Sequence, residues 1–599
     1  MRIPSSNHST VPQYILDLPI RNKLKSLTII QKNGETKSIS SFEYFNQIQK
    51  MAKALVEVNI KKGDRIAIFS NSRHEWSVCD LAAISMGAIV VPLYPNMTTD
   101  DLAYILNHSE CKLIFIENRM ALRQIMLIRE NCPKLETFVL FDPPLQQDGG
   151  HWMSLNEFLS GVAQQAHPSF NFERLCHQAN PTDPVTFIYT SGTTGQPKAV
   201  VLNHTQIIHE TTEVFAALQI TEEDHTYSFL PFSHVLGRTE HWGHLIIGYQ
   251  MTYSSGLERL AEELPMVEPT IIVAVPRIFE KIYTSLKTKI ETSIIDNSIF
   301  NWAFKIGTEV SKKQQLNKAI DFKLNAEYTM AQIAILNRLK HQLFGTKLRF
   351  AICGSAPLST EILQFFHSCG ILILEGYGLT ETTGAVCVNR PYDFEFGTVG
   401  KPLNKARIKI ASDGEILIDS PTNMVGYFND QEETKSVFQN NWLLTGDIGK
   451  VLKSGRLTIN DRKKDLIKTA YGKYIAPQKL EGMLKELPFI SQAHIHGDQK
   501  KYIVALLTID KTYLFNEARE KNIPFKSLDD LKENQVIIDL IRSGVAKVNL
   551  NLSNHESIKN YAVLSEDFSI EAGEITPSLK LRRRIIDQKY KKLLNSLYD

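Results

Sequence analysis

Four short clusters in the chain carry residue types suited to phosphoryl and acyl chemistry. The first, YTSGTTGQPKAV, runs from Tyr189 to Val200 and follows the apolar run VTFIY. Hydroxyls of Thr190, Ser191, Thr193 and Thr194, with the backbone N–H groups between them, can wrap phosphate oxygens. Gly192 and Gly195 permit tight turns, and Lys198 adds a point charge. The spacing is not that of the P-loop GxxxxGK[ST], because Pro197 precedes Lys198 and Ala199 follows it. From the residues alone the loop is either a phosphate cradle or a flexible turn.

The second cluster is EGYGLTETT, Glu375 to Thr383, led in by ILILE. Its Glu381 is a candidate magnesium ligand, since magnesium prefers hard oxygens alongside substrate phosphates. A solvated surface carboxylate is the competing reading. The third, LLTGDIG from Leu443 to Gly449, sets Asp447 beside a glycine turn. That carboxylate could accept hydrogen bonds from a ribose diol or serve as an ordinary turn Asp. The fourth is GEITPSLKLRRR, Gly573 to Arg584. Pro577 predicts the first turn of a helix with Thr576 as its N-cap, which sets Lys580 in the opening turns. The basic run after it is an anion site or a solvated face.

The elements that must position these clusters alternate. KSLTIIQKNGETKSIS predicts a short ribbon turning at Asn33-Gly34. Phe42, Phe45, Ile48, Met51 and Leu55 then fall at helical spacing. Helices around Arg73–Met86 and Asp100–Asn107 interleave with strands at Ala88–Val91 and Cys111–Ile116. Strands are also predicted at VTFIY, HTYSFLPF, TIIVAV and LRFAICG. Such alternation argues for α/β architecture with mostly parallel sheets. Between Phe279 and Leu343 the beat of Ile282, Leu286, Ile290 and Ile294 predicts helices packed on a sheet, with membrane attachment as the lesser reading. From Gly397 to Leu457 short strands such as ARIKI and GEILI alternate with turn residues, which predicts a small β subdomain. The charged stretch DRKKDLIK, Asp461 to Lys468, fits an exposed boundary before a second, α+β domain.

At 599 residues the chain is long enough for two or more domains, and 43% apolar with 22% charged residues is ordinary for a globular protein. The formal charge of +2 gives no reason to expect nucleic acid as a partner. Seven cysteines without a CxxC pair predict buried thiols in a reducing compartment and speak against a cysteine-ligated zinc site. The opening MRIPSSNHST has no apolar core of a signal peptide. LAAISMGAIVVPL, Leu81 to Leu93, is too short to span a bilayer and reads as a helix end feeding a buried strand.

The four clusters, in this order, resemble the adenylate-forming (AMP-binding) superfamily of acyl-CoA synthetases, luciferases and nonribosomal peptide adenylation domains. The resemblance covers nearly the whole chain, from KKGDRIAI to TPSLKLRR, and raises the opening loop to a phosphate site. PRIFEKI (Pro276 to Ile282), the helical insertion after it and DRKKDLIKTAYGKYIAP look like the long-chain fatty acid–CoA ligase branch. Asp461 and Tyr471 stand where relatives often carry glycine, which leaves Arg462, Lys464 and Gly472 in place.

The resemblance implies a multidomain α/β and α+β fold. A large region (residues 1–463) would hold two αβ sheets and a distorted β-barrel, the β-rich part at about 397–460; a small mobile α+β domain would span 464–599. It implies activation of a fatty acid with ATP and Mg2+ as acyl-AMP, then transfer to coenzyme A. Lys580 would neutralise charge between carboxylate, α-phosphate and leaving pyrophosphate. Ser191 to Lys198 would hold the β- and γ-phosphates, Thr380 the α-phosphate and Glu381 the magnesium. The adenine would lie beside Gly354, Ser355, Ala356, Pro357, Tyr377 and Gly378, with Asp447 and Arg462 at the ribose. His234 would face the acyl side, and Trp242 and Gly243 would gate the acyl tunnel; simple packing is the alternative for each. Lys464 matches the hinge about which the small domain turns, and Gly472 and Lys473 the side facing coenzyme A. No G-x-S-x-G elbow surrounds Ser191 or Ser233, which excludes a hydrolase. Two alternatives remain: a fatty acyl-AMP ligase loading an acyl carrier protein, and a nonenzymatic lipid- or nucleotide-binding module. The expected location is cytoplasmic, with possible peripheral contact at a membrane.

Overall fold

The computed structural model describes residues 8–20, 27–30, 34–144, 151–164, 170–190, 196–292, 297–316 and 318–599. Two large mixed sheets form the frame. One has eight strands, in the order Gly426–Tyr427, Lys198–Asn203, Pro184–Thr190, Ile89–Leu93, Arg65–Phe69, Cys111–Asn118, Thr137–Asp142 and Met153–Ser154. The other has nine, with Gly384–Val388, Ile373–Leu379, Phe350–Cys353, Ile271–Ala274 and His225–Ser228 at its centre. The inner strands pair in parallel and are buried along their length, as Ile89–Leu93 shows, so their sequences run apolar instead of alternating. Leu81 to Leu93 is indeed a helix end (His74–Ser85) running through Gly87, at φ +75°, into that strand.

A five-stranded antiparallel sheet, from Arg407–Ile410 to Leu457–Arg462, follows the large sheets. The C-terminal part has its own three-stranded sheet, Ile490–His496, Ile503–Ile509 and Ile558–Val563, with a core around Leu480, Leu507 and Ile541. All seven cysteines are free and buried. Among the described residues no helix is long and apolar enough to cross a membrane.

Three details depart from the sequence reading. In helix Ser41–Glu57 the buried stripe is Tyr44, Ile48, Met51 and Leu55, while Phe42 is exposed. Phe42 lies two residues from Tyr44, which at 100° per residue turns it to the opposite face. Among the described residues the helical insertion comprises the α-helices Pro276–Thr292, Asn297–Gln315, Phe322–Ala331 and Asn337–Phe344, the last two joined by the π-helical turn Gln332–Leu336. The first of them buries Phe279, Tyr283 and Leu286, and Ile294 lies outside the described residues. Pro577 does not start a helix: Thr576 to Lys580 is a tight turn closed by the bridge Ile575↔Leu581, and the helix begins at Arg583. The Thr576 hydroxyl accepts from the Lys580 N–H at 3.0 Å, so it caps the turn and not a helix.

Candidate active site

A continuous cleft of about 2410 Å³ runs between the large region and the C-terminal part. Three of its walls are set by strand ends. Strand Phe350–Cys353 stops at Gly354, and Ser355 follows at φ +73°, a left-handed conformation that turns the chain along the cleft. Glu375, buried on the next strand, accepts the Leu358 N–H at 3.1 Å and pins the far end of this turn. Burial pushes the Glu375 carboxyl up to about 7. Ala356 and Pro357 line the cleft beside Tyr377 and Gly378. A Cβ on Gly378 would lie 1.6 Å from the Gly384 carbonyl oxygen, so only glycine allows these strands to approach here.

Strand Ile373–Leu379 ends in the one-turn helix Thr380–Thr382, which presents Thr380 and Glu381 to the cleft. The Tyr427 hydroxyl donates to Glu381 Oε1 at 2.9 Å, and the Glu381 carbonyl accepts the Met424 N–H at 2.7 Å. The carboxylate is thereby held with oxygens that fit a hard divalent cation.

Asp447 is buried on strand Trp442–Val451, where the Tyr377 hydroxyl donates to its Oδ2 at 2.7 Å. Arg462 Nε lies 3.3 Å from its Oδ1. Burial raises the Asp447 pKa, and Arg462, Tyr377 and Lys580 oppose that rise.

Lys580 reaches this cluster from the C-terminal part. Leu579, at φ +63°, turns the chain at the tip. The turn is seated against the large region by Asn96 Nδ2, which donates to the Pro577 carbonyl at 3.3 Å, and by Arg582 at 3.9 Å from Asp101. The Lys580 pKa is lowered by desolvation and then by Arg462, with Asp447, Glu381 and Asp465 pulling the other way. All of these groups line the cleft.

His234 is the N-cap of helix Val235–Ile247, and its Nδ1 accepts the Leu236 N–H at 3.2 Å. Burial, then Lys580, pushes its pKa down to about 3. The ring is neutral, with its proton on Nε2, so it offers the cleft a hydrogen-bond donor.

Of the Gly/Ser/Thr loop, Thr190 ends strand Pro184–Thr190 and Lys198 opens strand Lys198–Asn203. Ser191, Gly192, Thr193, Thr194 and Gly195 lie outside the described residues. The Lys198 ammonium pairs with Glu433 and lies 5.4 Å from the centre of the Tyr427 ring.

Trp242, expected at the acyl gate, is fully buried in this arrangement, with the Arg238 guanidinium 5.1 Å from its ring centre. At Gly243 a Cβ would meet Phe215 Cε2 at 2.3 Å and the Tyr249 hydroxyl at 2.4 Å, so glycine permits this close packing. Val214, Phe215 and Leu218 bring apolar surface to the cleft.

At the boundary, Lys463 is tied to the large region, 2.6 Å from Asp413 and 2.8 Å from Glu415. Asp465 faces the other way, 3.4 Å from Gln478 Nε2 and 3.9 Å from Arg583. The exposed Lys464 stands between these two sets of attachments. Gly472, at φ +75°, and Lys473 form an exposed turn that does not line the cleft. Asp461 accepts N–H groups from Arg462 at 2.7 Å and from Gln478 at 3.2 Å, which is a use for a side chain that glycine could not supply.

Sequence reasoning missed Glu375, Tyr427 and Glu433 as parts of the site. Glu375 belongs to a cluster already singled out. Tyr427 and Glu433 act on residues 46 and 235 positions away, and no local pattern marks such contacts.

The model of the AMP-binding enzyme family matches residues 22–428, and that of the AMP-binding enzyme C-terminal domain matches 464–599. The chain is 31% identical over 570 residues to the long-chain-fatty-acid–CoA ligase FadD15 of Mycobacterium tuberculosis, covering 95% of this chain and 93% of that one. It is 27% identical to fatty acyl-CoA synthetase A of Dictyostelium discoideum, covering 96% and 88%. Among solved structures, the adenylation domain of a carboxylate reductase from Mycobacterium chelonae superposes with a TM-score of 0.77 at 21% identity, covering 100% and 92%. The o-succinylbenzoate coenzyme A synthetase of Bacillus subtilis, in complex with ATP and magnesium, gives 0.66 at 20% identity, covering 95% and 98%. These two likenesses speak to the fold.

Proposed function

The chain belongs to the AMP-binding enzyme family, and from that premise we propose that it activates a long-chain fatty acid as acyl-AMP and transfers the acyl group to coenzyme A. It is an ATP-dependent, acyl-adenylate-forming ligase. The observation that supports the adenylation step is that Lys580 enters from the C-terminal part a cleft also lined by Glu381, Asp447 and Arg462, and the likeness to a long-chain-fatty-acid–CoA ligase supports the acid and the acceptor.

A carboxylate is a poor acyl electrophile, and its attack on the α-phosphorus of ATP sets anion against anion. In the first step a carboxylate oxygen bonds to that phosphorus while the bond to pyrophosphate breaks. Lys580 supplies positive charge where negative charge accumulates. His234 donates from Nε2 to the acid, and Asp447 accepts from the ribose hydroxyls. Thr380 would hold the α-phosphate, and Glu381 would offer oxygens to magnesium, which when bound would neutralise phosphate charge. Lys198 and the loop before it take the outer phosphates. In the second step the thiol sulfur bonds to the acyl carbon, the bond to AMP breaks, and the thiol proton passes to solvent.

We place the boundary between the large region and a mobile small domain at 463/464. Rotation about Lys464 would withdraw Lys580 and present the turn carrying Gly472 and Lys473, which faces away from the cleft in this arrangement. The apolar surface of Val214, Phe215 and Leu218 suits an alkyl chain, at roughly 0.8 kcal/mol per buried methylene. We place the enzyme in the cytoplasm with peripheral contact at a membrane. Support for that contact is an exposed apolar set on the helical insertion, with Phe322 at 90% and Ile333 at 77% exposure.

The test is a mixed acid panel with MgATP and either coenzyme A, a phosphopantetheinylated carrier protein, or no acceptor, read by mass spectrometry. Long-chain acyl-CoA is the expected product. A short-chain or bulky aromatic product overturns the acyl assignment, and product on the carrier alone overturns the acceptor. Absence of ATP–pyrophosphate exchange across the panel would restore the nonenzymatic reading. Sedimentation with anionic vesicles tests the membrane contact, which fails if an Ile333→Asp/Phe322→Asp variant sediments as well as the wild type.

A further inference from the structure

We propose that His494, His496 and Asp587 form a binding site for a divalent transition metal, with zinc the best fit, separate from the oxygen site at Glu381. The two histidines are alternate residues of strand Ile490–His496, so the pleat points both side chains to one face. Helix Arg583–Lys589 packs on that face through Ile586, which shares a core with Val504 and Leu506, and Asp587 is its next residue. Asp587 Oδ1 lies 2.8 Å from His494 Nε2 and 2.8 Å from His496 Nδ1. The three donor atoms all lie within 4.8 Å of one another. A tetrahedral zinc with bonds of about 2.0–2.2 Å needs its ligand atoms roughly 3.3 Å apart. Small side-chain rotations reach that spacing from both sides.

The chemistry of the set selects the ion. Two imidazoles and one carboxylate suit zinc, cobalt or nickel, whereas magnesium takes oxygens. A cation at the centre would bond to the lone pairs of His494 Nε2 and His496 Nδ1, each neutral ring carrying its proton on the other nitrogen, and would replace the present ring contacts with the shared oxygen. His494 Nδ1 is buried without a hydrogen-bond partner, and the ring is oriented by the contact at Nε2 and by the edge-on Phe568 ring at 6.5 Å. No cysteine takes part, which is why a search for cysteine pairs passes over this site.

All three residues line the interlobe cleft, and Asp587 and His496 keep 37% and 19% of their side chains exposed. That gives an ion a way in and leaves a coordination position for water. The helix that Asp587 belongs to starts three residues after Lys580, and its Arg583 is held by Glu481 at 2.6 and 2.7 Å. A bound ion would add a second clamp between this helix and strand Ile490–His496, stiffening the base of the turn that carries Lys580.

The experiment uses the full chain, treated with chelator, dialysed, and titrated with cobalt(II) chloride by visible absorption and with zinc chloride by calorimetry. The expected result is one equivalent bound, with the d–d absorption of a nitrogen-ligated cobalt. His496→Gln and Asp587→Asn, both at partly exposed positions, should each weaken binding by more than about tenfold. A cooperative melt of each variant without metal reports that it is folded, and His496→Ala replaces any that is not. Neither absorption nor heat from the wild type overturns the proposal, as does binding that the folded variants retain. The readout is independent of ligase activity, so its failure leaves the proposed function untouched.

Discussion

Tyr377 donates its phenol proton to Asp447 at 2.7 Å, and this bond joins the strand that walls the nucleotide site to the β unit that precedes the boundary. The Asp447 carboxylate, proposed to bind the ribose, is thus positioned from the large sheet. Arg462 lies against its other oxygen, one residue before the anchored Lys463. In the proposed mechanism the ribose-side groups come from the large region, and Lys580 is the group the small domain adds.

Lys580→Ala should slow ATP–pyrophosphate exchange by about 10²–10³-fold, the size of effect seen when one preorganised charge-stabilising donor is removed. Thioester formation from synthetic acyl-AMP and coenzyme A should stay within a few-fold of wild type. Equal loss in both assays would mean that Lys580 serves the structure and not the first step.

Lys464→Pro should separate the half-reactions in the opposite sense. Proline fixes φ at the residue between the two sets of attachments, so the small domain cannot turn. Exchange should persist within a few-fold, while thioester formation falls at least about 10²-fold through misplacement of the thiol site. An unimpaired second step would remove Lys464 as the hinge.

His234→Ala should lower the rate of adenylation by about ten- to a hundredfold, the worth of a hydrogen bond to a charged group. Its folded pKa, about 3, is below the usual imidazole value, so the ring stays neutral through the working range. The ratio of wild-type to variant rates should then be flat between roughly pH 5 and 8. In stability the sign is fixed. The unfolded ring takes up a proton below about pH 6.5 and the folded ring does not, so this contribution is intact above that pH and is lost as pH falls toward 3. A ratio that titrates near pH 6.5 would show that the ring is protonated in the cleft.

Glu433→Gln should lower the KM for ATP. Lys198 must leave Glu433 to meet a phosphate, and each side chain of the pair is about one-third exposed, at 32% and 34%. Such pairs are worth about 0.2–1 kcal/mol, so the gain should not exceed about fivefold. A KM that rises instead would show that Glu433 positions the lysine for binding.

Gly243→Ala should destabilise the large region by about 1–3 kcal/mol, because the added Cβ forces Phe215 and Tyr249 to move. Phe215 lines the cleft, so its displacement should also shorten the longest acid accepted. Thermal melts and an acid-length panel read the two effects. An unchanged melting temperature together with a longer accepted chain would show that Phe215 yields at this position.

The sequence by itself determined the alternating frame and the order of the chemical clusters. Apolar strands buried on both faces, such as Ile89–Leu93, and stripes at helical spacing, such as Ile48, Met51 and Leu55, are local patterns imposed by backbone geometry. Only the tertiary structure decided which charges meet. Glu433 opposite Lys198, Tyr427 on Glu381 and Asp587 between His494 and His496 are contacts over long separations, set by packing. It also decided that Trp242 is buried against Arg238, and that Lys580 rides on a turn instead of a helix. A side chain's type is written in the chain, but its surroundings are supplied by segments that folding brings from elsewhere, and those surroundings fix its charge state and its partner.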